Sequence, residues 1–269
     1  MSKSGATSDF SRIWGLVAGI PLLLILLLPG LALVISVGGA QVWAAFSNPV
    51  FAEALAVSLS SSLISILMIL IAGTPLAWWL ARSSSRFSRF IEPLLDLPVV
   101  MPPAVIGIGL LLAFGRNGIF GQFFDSLGWT PAFSFSAVVI AQVVIAAPFY
   151  LRAAIVSFRN QDQDLEDVAR TLGHSPSQIF FKIVLPLSRP GLVAGGLLSW
   201  GRALGEFGAT LLFAGNMPGV TQTLPLAIFS ELEKEVHLAI ALSLLLFALA
   251  VILLGFMRRF ENLKERVGR

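Results

Sequence analysis

The sequence predicts an all-α membrane protein with six transmembrane helices, and three of its features lead to this fold class. Hydrophobic residues make up 56% of the 269 residues and charged residues only 12%, with a mean hydropathy of +0.86. Soluble domains carry about 25% charged residues, so lipid is expected to be the main solvent of this chain. The other two features are a series of long uncharged segments and an uneven placement of Lys and Arg along the chain.

The uncharged segments have the length and composition of membrane-spanning helices. A hydrocarbon core about 30 Å thick needs about 20 apolar residues, and a helix satisfies its own backbone hydrogen bonds there. A signal peptide is the alternative for the first segment, because Lys3 and Arg12 precede it. Its uncharged run from Ile13 to Val37 is longer than the roughly 7–15 residues of a signal core, which favours a span. The predicted helices are 13–37, 54–81, 98–114, 134–151, 187–212 and 236–257.

The placement of positive charge predicts the orientation of these helices. Only Arg116 and Lys234 lie in one set of connecting loops, and Arg202 lies within a span. The other 15 of the 18 Lys and Arg residues lie in the opposite set and at the two termini, which is typical of cytoplasmic segments. Topology therefore explains the basic balance, and no nucleic-acid surface is predicted. The predicted organisation is a cytoplasmic N-terminus 1–12, one transmembrane domain 13–257 with a cytoplasmic loop 152–189, and a cytoplasmic tail 258–269.

The residue inventory argues against several kinds of catalytic site. The chain has no cysteine and only two histidines, His174 and His237, so thiolate metal sites and histidine clusters are excluded. None of its four lysines follows a glycine-rich phosphate-binding loop, so the chain is not expected to be an ATPase. We therefore predict a protein that is not an enzyme and that binds no cofactor of its own.

The cytoplasmic loop 152–189 carries the pattern of two short helices joined by a turn. Leu165, Val168, Ala169 and Leu172 recur at helical spacing and predict one apolar stripe. Gly173 follows as the glycine that commonly ends a helix.

Ser175 and Gln178 have the spacing of a capping box, with Pro176 at the first helical position, and predict the start of the second helix. Pro186 is predicted to interrupt that helix at the membrane boundary.

An amphipathic helix pair of this kind can lie on lipid, pack on its own bundle, or dock on a partner protein. Residues 160–173 contain four acids and one base, which disfavours an anionic lipid surface. Docking is the favoured interpretation, and a purely structural elbow remains the alternative.

The fifth predicted helix contains two ionisable residues within the membrane. Arg202 and Glu206 are four residues apart, so on one helix face they can form an ion pair. Intramembrane charges mark either a buried pair or a polar pathway, and both interpretations stay open for Arg202, Glu206 and nearby Thr210. The helix is also rich in glycine, which favours close packing against neighbouring helices.

The loop residues resemble the EAA loop of ABC-importer permeases, in which Glu-Ala-Ala precedes Gly, Ile and Leu-Pro at fixed spacing. Here the matching residues are Asp167, Val168, Ala169, Gly173, Ile183, Leu185 and Pro186, with Glu166 just before them. Asp replaces Glu and Val replaces the first Ala, and both changes keep the character of the position. The resemblance implies that residues 160–181 form a coupling helix that docks on an ATP-binding subunit.

A second resemblance concerns the substrate. The runs 203–210, 214–219 and 221–226 are similar to those of molybdate/tungstate permeases, and related sulfate and thiosulfate permeases share the Gly-Glu-Phe-Gly-Ala core at 205–209. The resemblance implies a homodimer in membrane lipid, two partner subunits that bind ATP and Mg, and an extracytoplasmic oxyanion-binding protein. We expect the acids of the outer loops, Glu53, Asp125, Glu231, Glu233 and Glu235, to help this binding protein dock.

Two other classes of function are weighed against the importer. An ion-coupled secondary transporter commonly contains inverted repeats, and residues 13–114 and 134–257 show no convincing repeat. A membrane scaffold would explain the glycine-rich packing but not the helix pair in 152–189. The sequence therefore favours the permease.

Overall fold

The structure is a computed structural model that describes the backbone of residues 4–267 and the side chains of residues 17–256. Within these residues it is built from helices, turns and loops, without any strand. Five helices are long and apolar enough to cross a membrane, and a bent helix pair supplies a sixth span if it is counted as one. The predicted fold class is confirmed.

Fourteen helices follow one another along the described chain, and five of them match long predicted spans. They are α1 Ser4–Ser36, α2 Gly39–Ser47, α3 Pro49–Arg82, α4 Arg86–Leu94, α5 Leu97–Val100, α6 Pro103–Phe114, α7 Gly121–Ser126, α8 Phe135–Arg159, α9 Gln163–Thr171, α10 Pro176–Ile179, α11 Leu185–Leu204, α12 Gly208–Ala214, α13 Leu224–Lys234 and α14 Val236–Val267. Helix α1 starts inside the predicted terminal segment 1–12, and α14 continues through most of the predicted tail 258–269.

The centre of the bundle is formed by α3, α8 and α11. Four serines of α3, Ser58, Ser61, Ser62 and Ser65, are almost completely buried there. Ser65 donates a hydrogen bond to the side-chain oxygen of Gln142 at 3.0 Å, and the Trp200 indole N–H donates to Ser62 at 3.0 Å. Small polar residues let helices approach closely and hydrogen-bond across the contact. This serine row therefore joins α3 to α8 and α11.

The third predicted span, 98–114, is wrong as a single helix. Helices α5 and α6 are separated at Met101-Pro102, and the chain turns by 113° between Arg86–Val100 and Pro103–Phe114. Proline lacks an N–H and forces the residue before it into an extended conformation, which Met101 adopts with a ψ of 138°. The 12 residues of α6 extend about 18 Å, which is too short to cross the bilayer alone.

The fourth helix is longer than its prediction. Helix α8 continues from the predicted end at residue 151 to Arg159, because two arginines in this extension find carboxylate partners. Arg152 pairs with Asp96, and Arg159 makes a two-pronged contact with Glu92 at 2.9 and 2.6 Å. The predicted loop 152–189 is therefore helical for its first eight residues.

Helices α6 and α12 are both short and pack against each other through a glycine. A Cβ atom added at Gly107 would lie 2.9 Å from the Cα atom of Ala209, whereas one at Gly109 would have no neighbour within 4 Å. We expect Gly107→Ala to destabilise the chain by about 1–3 kcal/mol, since the two backbones must separate. Gly109→Ala is the matched control and is expected to be neutral or to stabilise by up to about 1 kcal/mol. Thermal unfolding in detergent measures the stability of both variants. Equal stabilities for Gly107→Ala and Gly109→Ala would contradict this packing.

Candidate functional site

Helix α9 presents two chemically different faces. Glu166 and Ala169 are 4% and 3% exposed and face the bundle, where Ala169 joins the apolar cluster that contains Leu80 and Phe158. Leu165 and Val168 of α9, and Leu172 that caps its C-terminal end, are 48%, 57% and 73% exposed. The predicted stripe is thus divided, because Ala169 at its edge is buried while the three larger residues form an uncovered apolar surface. We call Leu165, Val168 and Leu172 the outer α9 face.

Both ends of α9 are capped, and the sequence predicts the cap at the C-terminal end. The Asp162 side chain accepts a hydrogen bond from the Asp164 backbone N–H at 3.0 Å, which caps the N-terminus. At the other end Gly173 has a φ of +84°, and its N–H and that of His174 donate to the carbonyls of Arg170 and Ala169. This is the Schellman arrangement that satisfies the last carbonyls of a helix. The turn that directs the chain from α9 into α10 is therefore well defined.

The second helix of the loop begins as predicted but does not end at Pro186. Ser175 and Gln178 form the capping box that starts α10. Residues 180–184 then widen into a single π-helical turn, in which the Leu185 N–H donates to the Phe180 carbonyl, and α11 continues directly. A π turn accommodates the missing N–H and the bulk of a proline one residue later. Ile183 and Leu185 pack on the apolar cluster at this position, so the loop is continuous with the fifth span.

A buried ion pair fixes α9 to the end of α3. An Arg82 guanidinium nitrogen lies 2.5 Å from Glu166 Oε1, with the side chains 17% and 5% exposed. Arg170 reaches the other Glu166 oxygen at 3.7 Å and also pairs with the exposed Asp167 at 2.9 Å. The Arg82–Glu166 contact has no signal in the sequence, because the two residues are 84 positions apart and no local pattern connects them.

The fifth predicted helix, 187–212, is broken where its charges lie. Helix α11 ends at Leu204 and α12 begins at Gly208, so Glu206 lies in the break. Glu206 is 1% exposed; one of its oxygens lies 2.8 Å from Arg202 and the other accepts the Ala209 backbone N–H at 2.9 Å. The predicted pair therefore forms, but across a helix end. The Glu206 carboxylate satisfies a backbone N–H at the start of α12, which stabilises the break at this position. Thr210 is fully buried on α12.

The glycines of this region fall into two groups. A Cβ at Gly191 or Gly195 would meet the side chains of Ser157 or Ala153 at 2.6 and 2.5 Å, which confirms the predicted packing role for these two. Gly201 has no neighbour within 4 Å of such a Cβ, and with Gly205 it lines an apolar groove of about 360 Å³. Leu246 and Phe247 of α14 form the other wall of this groove.

Removing the Glu206 carboxylate is expected to destabilise the chain. Glu206→Ala leaves Arg202 without its partner and the Ala209 N–H without its acceptor, at a cost of about 3 kcal/mol. Glu206→Gln keeps the acceptor and is expected to cost about half as much. The measurement is thermal unfolding in detergent, with the exposed Asp125→Ala as a control expected within about 0.5 kcal/mol of the parent chain. If Glu206→Ala leaves the thermal stability unchanged, packing alone holds the break between α11 and α12.

The acids of the predicted outer loops do not form one exposed cluster. Glu231 is 7% exposed and lies 3.0 Å from the Lys234 ammonium, while Glu233 and Glu235 are exposed beside it. Glu53 belongs to α3 and Asp125 to α7. The segment 215–223 is tied down nearby, since Asn216 donates to Ser230 at 2.6 Å and Gln222 donates to Asn216 at 2.9 Å. Glu233 and Glu235 therefore stay exposed at this end, whereas Glu231 is buried.

Known proteins resemble the chain over most of its length. Residues 73–265 match the family described as binding-protein-dependent transport system inner membrane component. The molybdenum transport system permease protein ModB of Mycobacterium tuberculosis is 40% identical over 91% of this chain and 92% of its own. ModB of Escherichia coli strain K12 is 37% identical over 81% and 96%, and the probable transport system permease protein NifC of Clostridium pasteurianum is 34% identical over 87% and 82%.

Solved structures confirm the fold. A chain of a bacterial ABC transporter that imports the acidic polysaccharide alginate superposes with a TM-score of 0.72 at 17% identity, covering 98% of this chain and 99% of that one. A chain of the MetNI methionine ABC transporter superposes with a TM-score of 0.53 at 17% identity, covering 86% and 97%. The family match and the similar permeases confirm the predicted multi-pass inner-membrane location and the resemblance to ABC-importer permeases. The chain belongs to the binding-protein-dependent transport system inner membrane components, in the group that includes the molybdenum transport system permease proteins.

Proposed function

We propose that this chain is the membrane permease subunit of an ATP-driven importer of molybdate or tungstate. The observation that carries the proposal is the outer α9 face, an apolar surface presented by a helix that is anchored to the bundle on its other side. The molybdenum permeases that align over most of the chain supply the substrate class. A sulfate or thiosulfate importer is the nearest alternative, since these ions share the tetrahedral dianionic form.

The outer α9 face is proposed to dock on a separate ATP-binding subunit, which holds ATP and Mg. Three exposed apolar side chains on one short helix fit a groove on a partner protein, whereas lipid is disfavoured by the acids around them. Docking of this kind places Asp167 and the second helix of the loop near the partner as well. Because the loop, the termini and most basic residues share one side in the predicted topology, this side is proposed to be cytoplasmic.

A second copy of the chain is proposed to cover Arg202 and the groove beside it. The Arg202 side chain is 29% exposed in the single chain, although it lies within a membrane-spanning segment. A partly exposed guanidinium in hydrocarbon is costly, so it is expected to face a polar pathway or another protein. The open groove at Gly201 and Gly205 lies on the same helix end. In a homodimer with its transport pathway along this surface, the second copy would cover the groove, and Arg202 would face the pathway instead of lipid.

Arg202 is paired with Glu206, so the pair presents little net charge to a passing anion. A neutralised pair is suited to brief contact with a dianion and not to tight capture. We therefore propose that an extracytoplasmic oxyanion-binding protein captures the dianion from dilute solution. No nucleic acid takes part in this proposal.

The test is reconstitution of the chain in liposomes with its separately expressed ATP-binding subunit and binding protein. We expect ATP-dependent uptake of molybdate and tungstate, with sulfate competing poorly. Calorimetric titration of the binding protein with the three anions gives the substrate order independently. Uptake that persists without the ATP-binding subunit would overturn the importer in favour of an ion-coupled carrier, and a preference for sulfate would overturn the substrate assignment.

Neutralising the two exposed outer acids tests the docking of the binding protein. We expect Glu233→Gln/Glu235→Gln to slow its association by about threefold at low salt, because charges at the rim of an interface act mainly on the association rate. At high salt the difference is expected to disappear, since exposed charges are screened. Surface plasmon resonance at several ionic strengths measures this rate. A difference that is independent of salt would contradict electrostatic steering.

A further inference from the structure

Helix α4 has an inner face that is fixed to the bundle and an outer face that is not covered. Ser88 is 2% exposed, and both carboxylate oxygens of Glu92 accept hydrogen bonds from the two terminal Nη nitrogens of Arg159. On the opposite side the aromatic rings of Phe87 and Phe90 are 63% and 66% exposed, and Leu94 is 42% exposed. The helix therefore presents large apolar side chains outward while its polar contacts point inward.

The geometry of the neighbouring helices places α4 along the membrane surface. Helices α4 and α5 turn by 113° relative to α6, so if α6 enters the bilayer steeply, α4 runs close to the membrane plane. Trp79 lies in the last turn of the spanning helix α3, and its ring contacts Phe87 with centroids 6.1 Å apart. Tryptophan at the end of a span is typical of the membrane–water interface, which sets the depth of α4.

The charge that α4 presents outward is positive. Its own acid Glu92 and the following Asp96 are neutralised by Arg159 and Arg152 of α8. Arg86 and Arg89 are exposed, and neither lies within 4 Å of a carboxylate oxygen of the side chains described in residues 17–256. Two uncompensated arginines therefore flank the exposed aromatic rings.

We propose that α4 is a binding surface for anionic phospholipid. Phe87 and Phe90 insert between the upper parts of the acyl chains, and Arg86 and Arg89 bind the lipid phosphates. Aromatic rings and arginines on one interfacial helix match the apolar and anionic parts of such a lipid. Each basic side chain near an anionic surface raises the affinity about fivefold. The surface differs from the outer α9 face, which is surrounded by acids and contains no aromatic ring.

The first experiment counts lipids retained by the purified full chain, using native mass spectrometry after exposure to phosphatidylglycerol or phosphatidylcholine. We expect the parent chain to retain phosphatidylglycerol preferentially, and Arg86→Gln/Arg89→Gln to reduce its retention at least about fivefold. Arg86→Lys/Arg89→Lys keeps the charge and is expected to keep the lipid. Arg116→Gln/Lys234→Gln removes the same charge from the opposite end and is expected to change nothing. Unchanged retention by Arg86→Gln/Arg89→Gln overturns the proposal.

The second experiment measures depth and exploits the absence of cysteine from the chain. A bimane label on Phe90→Cys in liposomes is expected to be quenched by lipids brominated near the headgroup end of the acyl chain. The same label on Asp164→Cys in α9 is the control and is expected to be quenched at least about twofold less. Equal quenching at the two positions would overturn the proposal. Loss of self-association or of ATPase binding in Arg86→Gln/Arg89→Gln, with lipid retention unchanged, would assign α4 to one of those partners instead.

Discussion

Replacing Leu165, Val168 and Leu172 with serine is expected to lower the affinity of the chain for its ATP-binding subunit by roughly 100-fold, equivalent to about 2.7 kcal/mol. All three side chains are about half or more exposed on α9, so their replacement removes contact area without creating a cavity in the bundle. The expected loss corresponds to about 0.9 kcal/mol for each side chain, which is moderate for an apolar residue buried in an interface. The fold is therefore expected to survive while docking is lost.

Co-purification of the tagged chain with the ATP-binding subunit, followed by titration, measures this change. The matched control is serine at Ile119, Phe123 and Leu127, which are 83%, 60% and 63% exposed in the opposite loop region. That variant is expected to bind the ATP-binding subunit within about twofold of the parent chain. If the α9 variant also binds normally, the loop is the structural elbow that the sequence left open, and the proposed coupling role is wrong.

Arg82→Met is expected to destabilise the chain by about 3 kcal/mol. The Glu166 carboxylate would remain 4% exposed with only Arg170 nearby, at 3.7 Å from one oxygen. A buried charge that loses its partner costs about 3–5 kcal/mol, and the remaining arginine places the expectation at the lower end. Because α9 is held to α3 through this pair, hydrogen exchange of 163–171 is expected to accelerate more than that of α8.

The double variant Arg82→Met/Glu166→Met separates charge from packing. It is expected to recover to within about 1 kcal/mol of the parent chain, since a buried pair can often be replaced by apolar residues of similar volume. Arg159→Met, which breaks the more exposed pair with Glu92, is the control and is expected to cost less than about 1 kcal/mol. Thermal unfolding gives the stabilities. If Arg82→Met and Arg159→Met lower the free energy of unfolding equally, the burial of Glu166 does not strengthen its ion pair.

The local features of the helix pair could be predicted well from the sequence. The Ser175 capping box and the Gly173 turn were predicted where the structure has them, because each depends on residues within one turn of helix. The pair Pro102-Pro103 is a sequence signal for the break in the third span. The apolar composition of 98–114 nevertheless favoured one continuous helix in the prediction. Helix α8 runs past its predicted end at residue 151 because the charged Arg152 does not interrupt the helix, which continues to Arg159.

Other features had no local signal. The interface serines of α3 are recognisable only once Gln142 and Trp200 lie beside them, and the Arg82–Glu166 pair joins residues 84 positions apart. The same holds for the two groups of glycines around α11, which differ in their neighbours and not in their own residue type.

The sequence by itself determined the solvent of this protein, the positions of its long apolar helices, and the short helix pair between the fourth and fifth spans. These depend on composition, on the length of apolar segments and on contacts within a few residues, all of which can be read from the sequence. Only the tertiary structure decided which residues of α9 face outward, where the third and fifth spans break, and how the charges pair. Those outcomes depend on which distant segments approach one another, because burial and ion pairing are properties of the packed bundle.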